Sequence, residues 1–401
     1  MEDLVLLYPV YALLFAGTGL SPAGISSLFV LWSLTAWVLE VPSGVWADRF
    51  SRRRLLTLSP ALSGAGFALW TFLPSYGAFA AGFVLWGAGS SLRSGTLEAL
   101  VYEELKRAGA AGAYGRLLGR SRALSTLAET AATAVAAPVL AAGGYRAVGI
   151  ASVLVCVAGV AVARTFPEHR DRSGGSGRSG GVAPDGGPAR DGDPAHAGEP
   201  AHDGDPAGDG DPAREGGFGG TLRAGLTEIR TSRPARRAVL LVSLLTGCLA
   251  YDEYLPLLAA ATGADTVHVP LLVVLVSAGA AAGNWYADRG HARAGPLLTL
   301  AAVCLAAGAL SGHPAGMALV AAGYGLCTWA ATAAAARLQD RIADRTRATV
   351  GSLAGLGSEV VSVLFFAAYA LGSTRYGPGP LIAVAALPYA VTALALRGRR
   401  T

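Results

Sequence analysis

The sequence predicts an all-α membrane protein with twelve transmembrane helices. Of its 401 residues, 52% are hydrophobic and only 15% are charged, and the mean hydropathy is +0.45. A soluble domain carries about a quarter charged residues. The apolar residues form runs near the length of about 20 residues that a helix needs to cross a bilayer. Short, arginine-containing segments separate many of these runs. Lipid is therefore the expected solvent of most of this chain.

Each apolar run is expected to form one membrane-spanning helix. The runs occupy residues 4–20, 23–44, 54–73, 78–103, 117–142, 146–164, 237–260, 268–287, 294–311, 315–337, 347–372 and 379–396. Several runs exceed one crossing, which predicts tilted helices or helices that continue beyond the bilayer. The first run follows acidic residues and lacks a basic leader, so we expect it to be a retained helix and not a cleaved signal.

The arginines predict the orientation. They cluster in the connections after the even-numbered runs, as in Arg52–Arg53–Arg54, and again near the carboxyl terminus. The connections after the odd-numbered runs are almost free of them. Because cytoplasmic loops carry the arginine excess of membrane proteins, both termini are expected in the cytoplasm, with the chain in the inner or plasma membrane. The net charge of +5 is thereby explained without nucleic acid as a partner.

Apolar runs are absent between residues 168 and 219, where a short motif of Gly, Asp, Pro and Ala repeats. Such a segment has little to bury, so it is expected to be a disordered cytoplasmic linker. Its His196 and His202 alternate with aspartates, but no scaffold holds them, and the four cysteines lack metal-site spacing. No metal is expected. The chain then divides into a bundle at 1–167, the linker at 168–219, and an amphipathic segment with a second bundle at 220–401.

The two halves echo each other. The second run ends in Trp-Ala-Asp-Arg at 46–49, and the eighth ends in Tyr-Ala-Asp-Arg at 286–289. Weak internal symmetry of this kind is typical of folds built from repeats, in which a binding site lies where the repeats meet.

The segment LEVPSGVWADRFSRRR at 39–54 resembles the signature loop between the second and third helices of the major facilitator superfamily. The stretches SGTLEALVYEEL and ARLQDRIADRTRATVGSL are also similar to members of that family. The resemblance implies two pseudo-symmetric six-helix bundles, transport by alternating access, and a loop that locks the cytoplasmic gate. The gate residues it implies are Gly44, Asp48, Arg49, Arg52, Arg53, Asp288 and Arg289. In the second copy Gly283 is offset by one residue, which predicts looser packing there.

Five carboxylates inside the apolar runs are candidates for function, because an ionisable side chain there is costly and is by default a functional candidate. Glu98, Glu129 and Glu359 each lie on a stripe of small and polar residues at helical spacing. Desolvation favours the neutral form of a carboxylate, so each is a candidate proton carrier, in the order Glu129, Glu98, Glu359. A neutral glutamate that only joins helices is the alternative. Asp252 and Glu253 are further candidates, expected near the water-exposed outer end of their helix.

Arginine and aromatic side chains within the runs are candidates for a substrate cavity. Arg93 could pair with a carboxylate, bind an anionic substrate or have only a structural role. The aromatics could line a pocket for an amphipathic ligand or anchor the protein at the membrane interface. The cavity candidates are Tyr8, Tyr11, Trp32, Arg93, Tyr251, Tyr324 and Trp329.

These features predict a secondary transporter. The single lysine, Lys106, follows no glycine-rich turn, so an ATP-driven pump within this chain is excluded, and no enzyme motif is present. We expect a proton-coupled exporter of a small amphipathic compound, monomeric in the bilayer, which uses the proton gradient and no cofactor. A proton-coupled importer or facilitator of a nutrient is one alternative, and a non-transporting receptor or scaffold is another.

Overall fold

The computed structural model describes residues 4–110, 114–166, 230–290, 293–340 and 347–397. The predicted linker at 168–219 lies outside these residues. The described part is built of α-helices with one long 3-10 segment at Cys248–Tyr254 and contains no strand. The helices are α1 (Tyr11–Gly17), α2 (Pro22–Arg49), α3 (Arg52–Phe72), α4 (Tyr76–Arg107), α5 (Tyr114–Arg164), α6 (Arg233–Gly247), α7 (Leu255–Ala261), α8 (Val269–Trp285), α9 (Ala294–Leu310), α10 (Gly316–Gln339), α11 (Arg347–Gly372), α12 (Pro378–Ala385) and α13 (Leu387–Arg397).

The predicted all-α membrane fold is confirmed. Within the described residues, seven helical stretches are long and apolar enough to cross a membrane, and α8 and α9 are shorter apolar helices. The helices occupy the positions of all twelve predicted runs. The polar ends differ, because α2 continues to Arg49 and α4 to Arg107. Helical hydrogen bonding thus extends past the apolar stretch that hydropathy detects.

Breaks in the helices divide the longer stretches. The backbone of α5 leaves helical geometry at Gly143 and Gly144, and Gly144 has φ +63, a conformation that L residues with a side chain rarely adopt. This turn separates the fifth predicted run from the sixth. In the seventh run, the 3-10 segment joins α6 to α7 and carries two carboxylates.

Helices α1–α5 form the first half of the molecule, and α6–α13 form the second half. Within the first half, α3 packs on α4 and α5, and its core contains the fully buried rings of Phe15, Trp70, Phe79 and Phe83. The halves meet where α2 packs on α11, α5 on α8, and α1 on α7. These contacts bring helices of the two halves together around a shared interior.

Glycines set the spacing between α8 and α10. A Cβ at Gly279 would meet the carbonyl oxygen of Ala321, and one at Gly283 would meet that of Gly325. Only residues without a side chain permit so close a helix approach. Gly283 itself therefore lies at a close approach of α8 to α10. The looser packing predicted for the gate of the second copy stays a prediction.

Candidate functional site

A pocket of about 260 Å³ opens inside the first half. Its walls come from the segment before α1 and from α2–α5, and they include Tyr8, Trp32, Trp86, Arg93 and Glu129. The rings of Trp32 and Trp86 are stacked with centroids 5.2 Å apart and an interplanar angle of 24°. The pocket therefore combines a flat aromatic wall with one basic and one acidic side chain. Three predicted cavity residues and the first-ranked carboxylate lie together here.

Two buried polar atoms face this pocket region without a protein partner. The Nε1 of Trp32 and the Oγ of Ser63 have no hydrogen-bond partner among the described residues, and both residues line the pocket. Buried polar groups are nearly always hydrogen-bonded, because an unmade bond costs the desolvation of the group. An acceptor group on a bound molecule would satisfy the indole N–H. Ser63 and Trp86 were not among the predicted site residues.

Asp252 and Glu253 lie on the 3-10 segment and point to different helices. The hydroxyl of Tyr324 on α10 donates to Oδ2 of Asp252 at 2.9 Å, while the hydroxyl of Tyr11 on α1 donates to Oε2 of Glu253. The two carboxylates thus link the 3-10 segment to one helix of each half.

The position of this acidic pair differs from the expected one. The helix continues beyond the pair through Leu255–Ala261, so Asp252 and Glu253 lie within the span, half-buried and hydrogen-bonded, instead of at its water-exposed end. A 3-10 helix turns about 120° per residue, which directs one carboxylate to the second half and its neighbour to the first.

Further hydrogen bonds join the two halves. The hydroxyls of Ser26 on α2 and Tyr254 are 2.7 Å apart, and Ser33 on α2 donates to Oε2 of Glu359 on α11. Together with the bond between Tyr11 and Glu253, these contacts place two carboxylates of the second half on hydroxyls of the first. Both glutamates were predicted from the sequence as candidates. Their hydrogen bonds to Tyr11 and Ser33, and the contact between Ser26 and Tyr254, were not predicted.

Two other cavity candidates, Tyr251 and Trp329, contact neighbouring protein groups in the second half. Tyr251 is fully buried and packs edge-on against Tyr324, with centroids 5.5 Å apart. The indole N–H of Trp329 is 3.0 Å from the carbonyl oxygens of both Tyr286 and Arg289. Trp329 therefore links the end of α8 to α10 through these hydrogen bonds, and its place in a substrate cavity stays a prediction.

The gate residues are only partly within the described structure. Four predicted residues belong to helices, but the surroundings of their side-chain positions are not among the described features: Gly44, Asp48, Arg49 and Glu98. The sequence also predicts that Asp48 lies close to Arg345 or Arg347 at the start of the eleventh run, and this stays a prediction. In the second copy, Arg289 Nε is 3.9 Å from Oδ2 of Asp288, and both side chains are exposed.

Within the described residues, no cluster of three or more histidine, cysteine or acidic side chains could hold a metal ion. The site instead offers hydroxyls, carboxylates and aromatic faces. Such groups can exchange protons and contact an amphipathic molecule.

Comparison with known proteins agrees with this architecture. The family model described as Major Facilitator Superfamily matches residues 3–366. No curated protein sequence matches the chain significantly. Among solved structures, the chain is similar to a bacterial homologue of the human lysosomal transporter Spinster, in an inward-facing and unoccupied conformation. That match has 15% identity and a TM-score of 0.62, and covers 97% of this chain and 88% of the other.

The chain is also similar to the nucleoside transporter NupG, at 12% identity and a TM-score of 0.66, over 99% of this chain and 94% of that one. At these identities the likeness shows the fold alone, whereas the family model matches most of the sequence. Together with the helical membrane architecture, that match shows that this chain belongs to the Major Facilitator Superfamily of transporters.

Proposed function

We propose that this protein is a proton-coupled antiporter that exports a small amphipathic aromatic compound by alternating access. One observation carries the proposal: carboxylates of the second half accept hydrogen bonds from hydroxyls of the first half, beside a ligand-sized pocket. The proton gradient is the energy source, and no cofactor takes part.

The coupling step follows from the chemistry of those bonds. An ionised carboxylate is a stronger acceptor than a protonated one, because charge-assisted hydrogen bonds are about twice as strong as neutral ones. Protonation of Glu253 or Glu359 therefore weakens the bonds from Tyr11 or Ser33 that join the halves. Proton binding and release then favour different arrangements of the halves, which is the requirement for coupling to alternating access.

The pocket indicates the substrate class. The stacked indoles of Trp32 and Trp86 offer a flat face to an aromatic ring, and the free indole N–H of Trp32 calls for an acceptor on the ligand. Glu129 supplies an acidic group on the same wall. A stacked aromatic wall next to polar and charged side chains suits an amphipathic aromatic compound, which supports export of such a compound.

Proteoliposomes with an imposed pH gradient test the proposal. The probes are ethidium and rhodamine 6G, two planar aromatic cations. An antiporter accumulates dye in liposomes that are acid inside, whichever way the protein inserts. A proton symporter requires the opposite gradient, a facilitator only equilibrates the dye, and a receptor or scaffold moves none, so any of these three results contradicts antiport.

Variants assign the coupling groups. Glu129→Gln and Glu253→Gln keep shape and hydrogen-bonding capacity but remove the titratable group, so each should abolish dye accumulation while dye binding persists. Glu98→Gln and Glu359→Gln complete the series. The matched control is Glu104→Gln, which removes a surface carboxylate whose Oε1 is 2.9 Å from Arg107. Undiminished proton flux in all the interior variants would refute coupling at these carboxylates.

A further inference from the structure

A second cavity lies outside the transport pathway. A cleft of about 550 Å³ opens between the beginning of α3 and the end of α5. Arg53 and Arg54 line it from α3, and Arg164 lines it from α5. Two helices thus direct three guanidinium groups toward one space, although residues 54 and 164 are far apart in sequence.

The charged side chains among the described residues that line this cleft are all arginines. Two of them belong to the first turn of α3, at the positive end of the helix dipole. The dipole and the arginines both add positive potential at this end of the cleft, which favours an anion there.

The rest of the cleft is apolar. Leu58, Ala61 and Val160 line it below the arginines. The outward faces of both helices continue this apolar surface, since Leu58 on α3 and Val157 on α5 are 45% and 58% exposed. In a membrane protein such exposed side chains contact lipid tails. The cleft is therefore cationic at one end and lipid-facing along its length.

We propose that this cleft binds the headgroup of an anionic phospholipid. The arginines hold the phosphate oxygens, for which the guanidinium fork provides paired N–H donors, and the apolar surface contacts the acyl chains. A lipid bound there contacts both α3 and the part of α5 that follows the break at Gly144. This position is next to the signature loop, which ends at Arg54. Basic pockets between transmembrane helices are suited to such lipids.

Lipid titration tests this inference. The purified full chain in detergent is titrated with dioleoylphosphatidylglycerol and, separately, with dioleoylphosphatidylcholine, and bound lipid is counted by native mass spectrometry. Preferential retention of phosphatidylglycerol is expected. The triple variant Arg53→Gln, Arg54→Gln, Arg164→Gln should bind it about a hundredfold more weakly, since each basic residue near a lipid surface contributes roughly a factor of five.

The matched control removes the same charge elsewhere at the same end of the helix array. Arg233→Gln, Arg236→Gln, Arg237→Gln on α6 should leave phosphatidylglycerol binding within twofold of the parent. An equal loss in the control set would show diffuse surface attraction and overturn the proposal. Circular dichroism establishes that both variants keep the helical content of the parent.

A free anion is the competing source of the same phosphate chemistry. Inorganic phosphate is added to the titration at roughly 10 mM, about tenfold above the millimolar Kd of weak ion binding. Phosphatidylglycerol should remain bound, because its acyl chains add apolar contact. Full displacement by phosphate, or equal retention of phosphatidylcholine, would overturn the lipid assignment.

Discussion

Loss of the Tyr11 hydroxyl should shift the equilibrium between arrangements of the two halves. Tyr11→Phe keeps the ring, which packs against Phe29 and Trp70 with centroids 5.9 and 5.8 Å away. It removes only the hydroxyl that donates to Glu253. Because these residues belong to different halves, the bond exists only where the halves meet, and its loss destabilises that arrangement.

The size of the shift follows from the value of one buried hydrogen bond. Removal of a partner from a buried polar group costs about 1–3 kcal/mol. At about 1.4 kcal/mol per tenfold change, the population ratio of joined to separated halves should fall by a factor of roughly 5 to 150. A state that dominates in the parent would then share the population with its alternative or give way to it.

Double electron–electron resonance measures this ratio directly. Nitroxides are attached at Leu73→Cys, just after α3, and Thr266→Cys, just before α8, in a background whose native cysteines are replaced by alanine. Both positions lie in exposed connections at the end where α1 finishes and α2 begins. The parent should give a short distance, and Tyr11→Phe should add a population at longer distance.

The matched control is Tyr76→Phe. Its hydroxyl is 3.0 Å from that of Ser27, and both residues lie in the first half, so its loss should leave the distance distribution unchanged. An unchanged distribution in Tyr11→Phe would refute the idea that this bond holds the halves together. An equal shift in both variants would show a nonspecific effect of hydroxyl removal.

Two further predictions concern stability, measured as the free energy of unfolding in mixed detergent. Gly283→Ala should destabilise the protein by about 1–3 kcal/mol, because its Cβ would meet the Gly325 carbonyl and overpack α8 against α10. Gly355→Ala, where a Cβ meets nothing within 4 Å, should be neutral or stabilising by up to about 1 kcal/mol, and equal losses would contradict the packing argument. Trp329→Phe should cost about 1–3 kcal/mol, because it removes the indole donor to the carbonyl oxygens of Tyr286 and Arg289, of which that of Tyr286 still accepts from the Arg289 backbone N–H. The control Trp285→Phe, 79% exposed, should change little, and a neutral Trp329→Phe would contradict this structural role.

The helices were predictable because membrane crossing imposes a length and a polarity on each segment. Hydropathy placed each predicted run where the described structure has helix, since lipid tolerates only apolar residues on most helix faces. The first run forms only the short α1, Tyr11–Gly17. The ends were less predictable, as α2 and α4 continue into charged sequence. Hydrogen bonding within the backbone, and not apolar surface, decides where such helices stop.

The acidic pair shows why the site was less predictable. The sequence predicted that Asp252 and Glu253 lie near the water-exposed outer end of their helix, whereas they lie on a 3-10 segment within the span. Neither the break nor the partner tyrosines are written in the local sequence. The partners come from α1 and α10, so they depend on how distant helices pack. The same reason explains Trp329, whose two carbonyl partners belong to the end of α8.

The arrangement of the first and second halves suggests how the ligand and the proton communicate in the proposed cycle. Every residue that lines the pocket belongs to the first half, whereas Glu253 belongs to the second. The segment before α1 connects them: Tyr8 lines the pocket, its ring meets that of Tyr11 edge-on at 6.0 Å, and Tyr11 donates to Glu253.

A ligand that displaces Tyr8 therefore also disturbs the donor of Glu253, and protonation of Glu253 releases Tyr11 toward Tyr8. By linkage, each event must change the affinity for the other by the same factor. This reciprocity gives a test that needs no pH gradient. Ethidium binding should depend on pH in the parent and lose that dependence in both Tyr11→Phe and Glu253→Gln. A pH dependence that survives in both variants would place the coupling group elsewhere, with Glu129 the first to test because it lines the pocket itself.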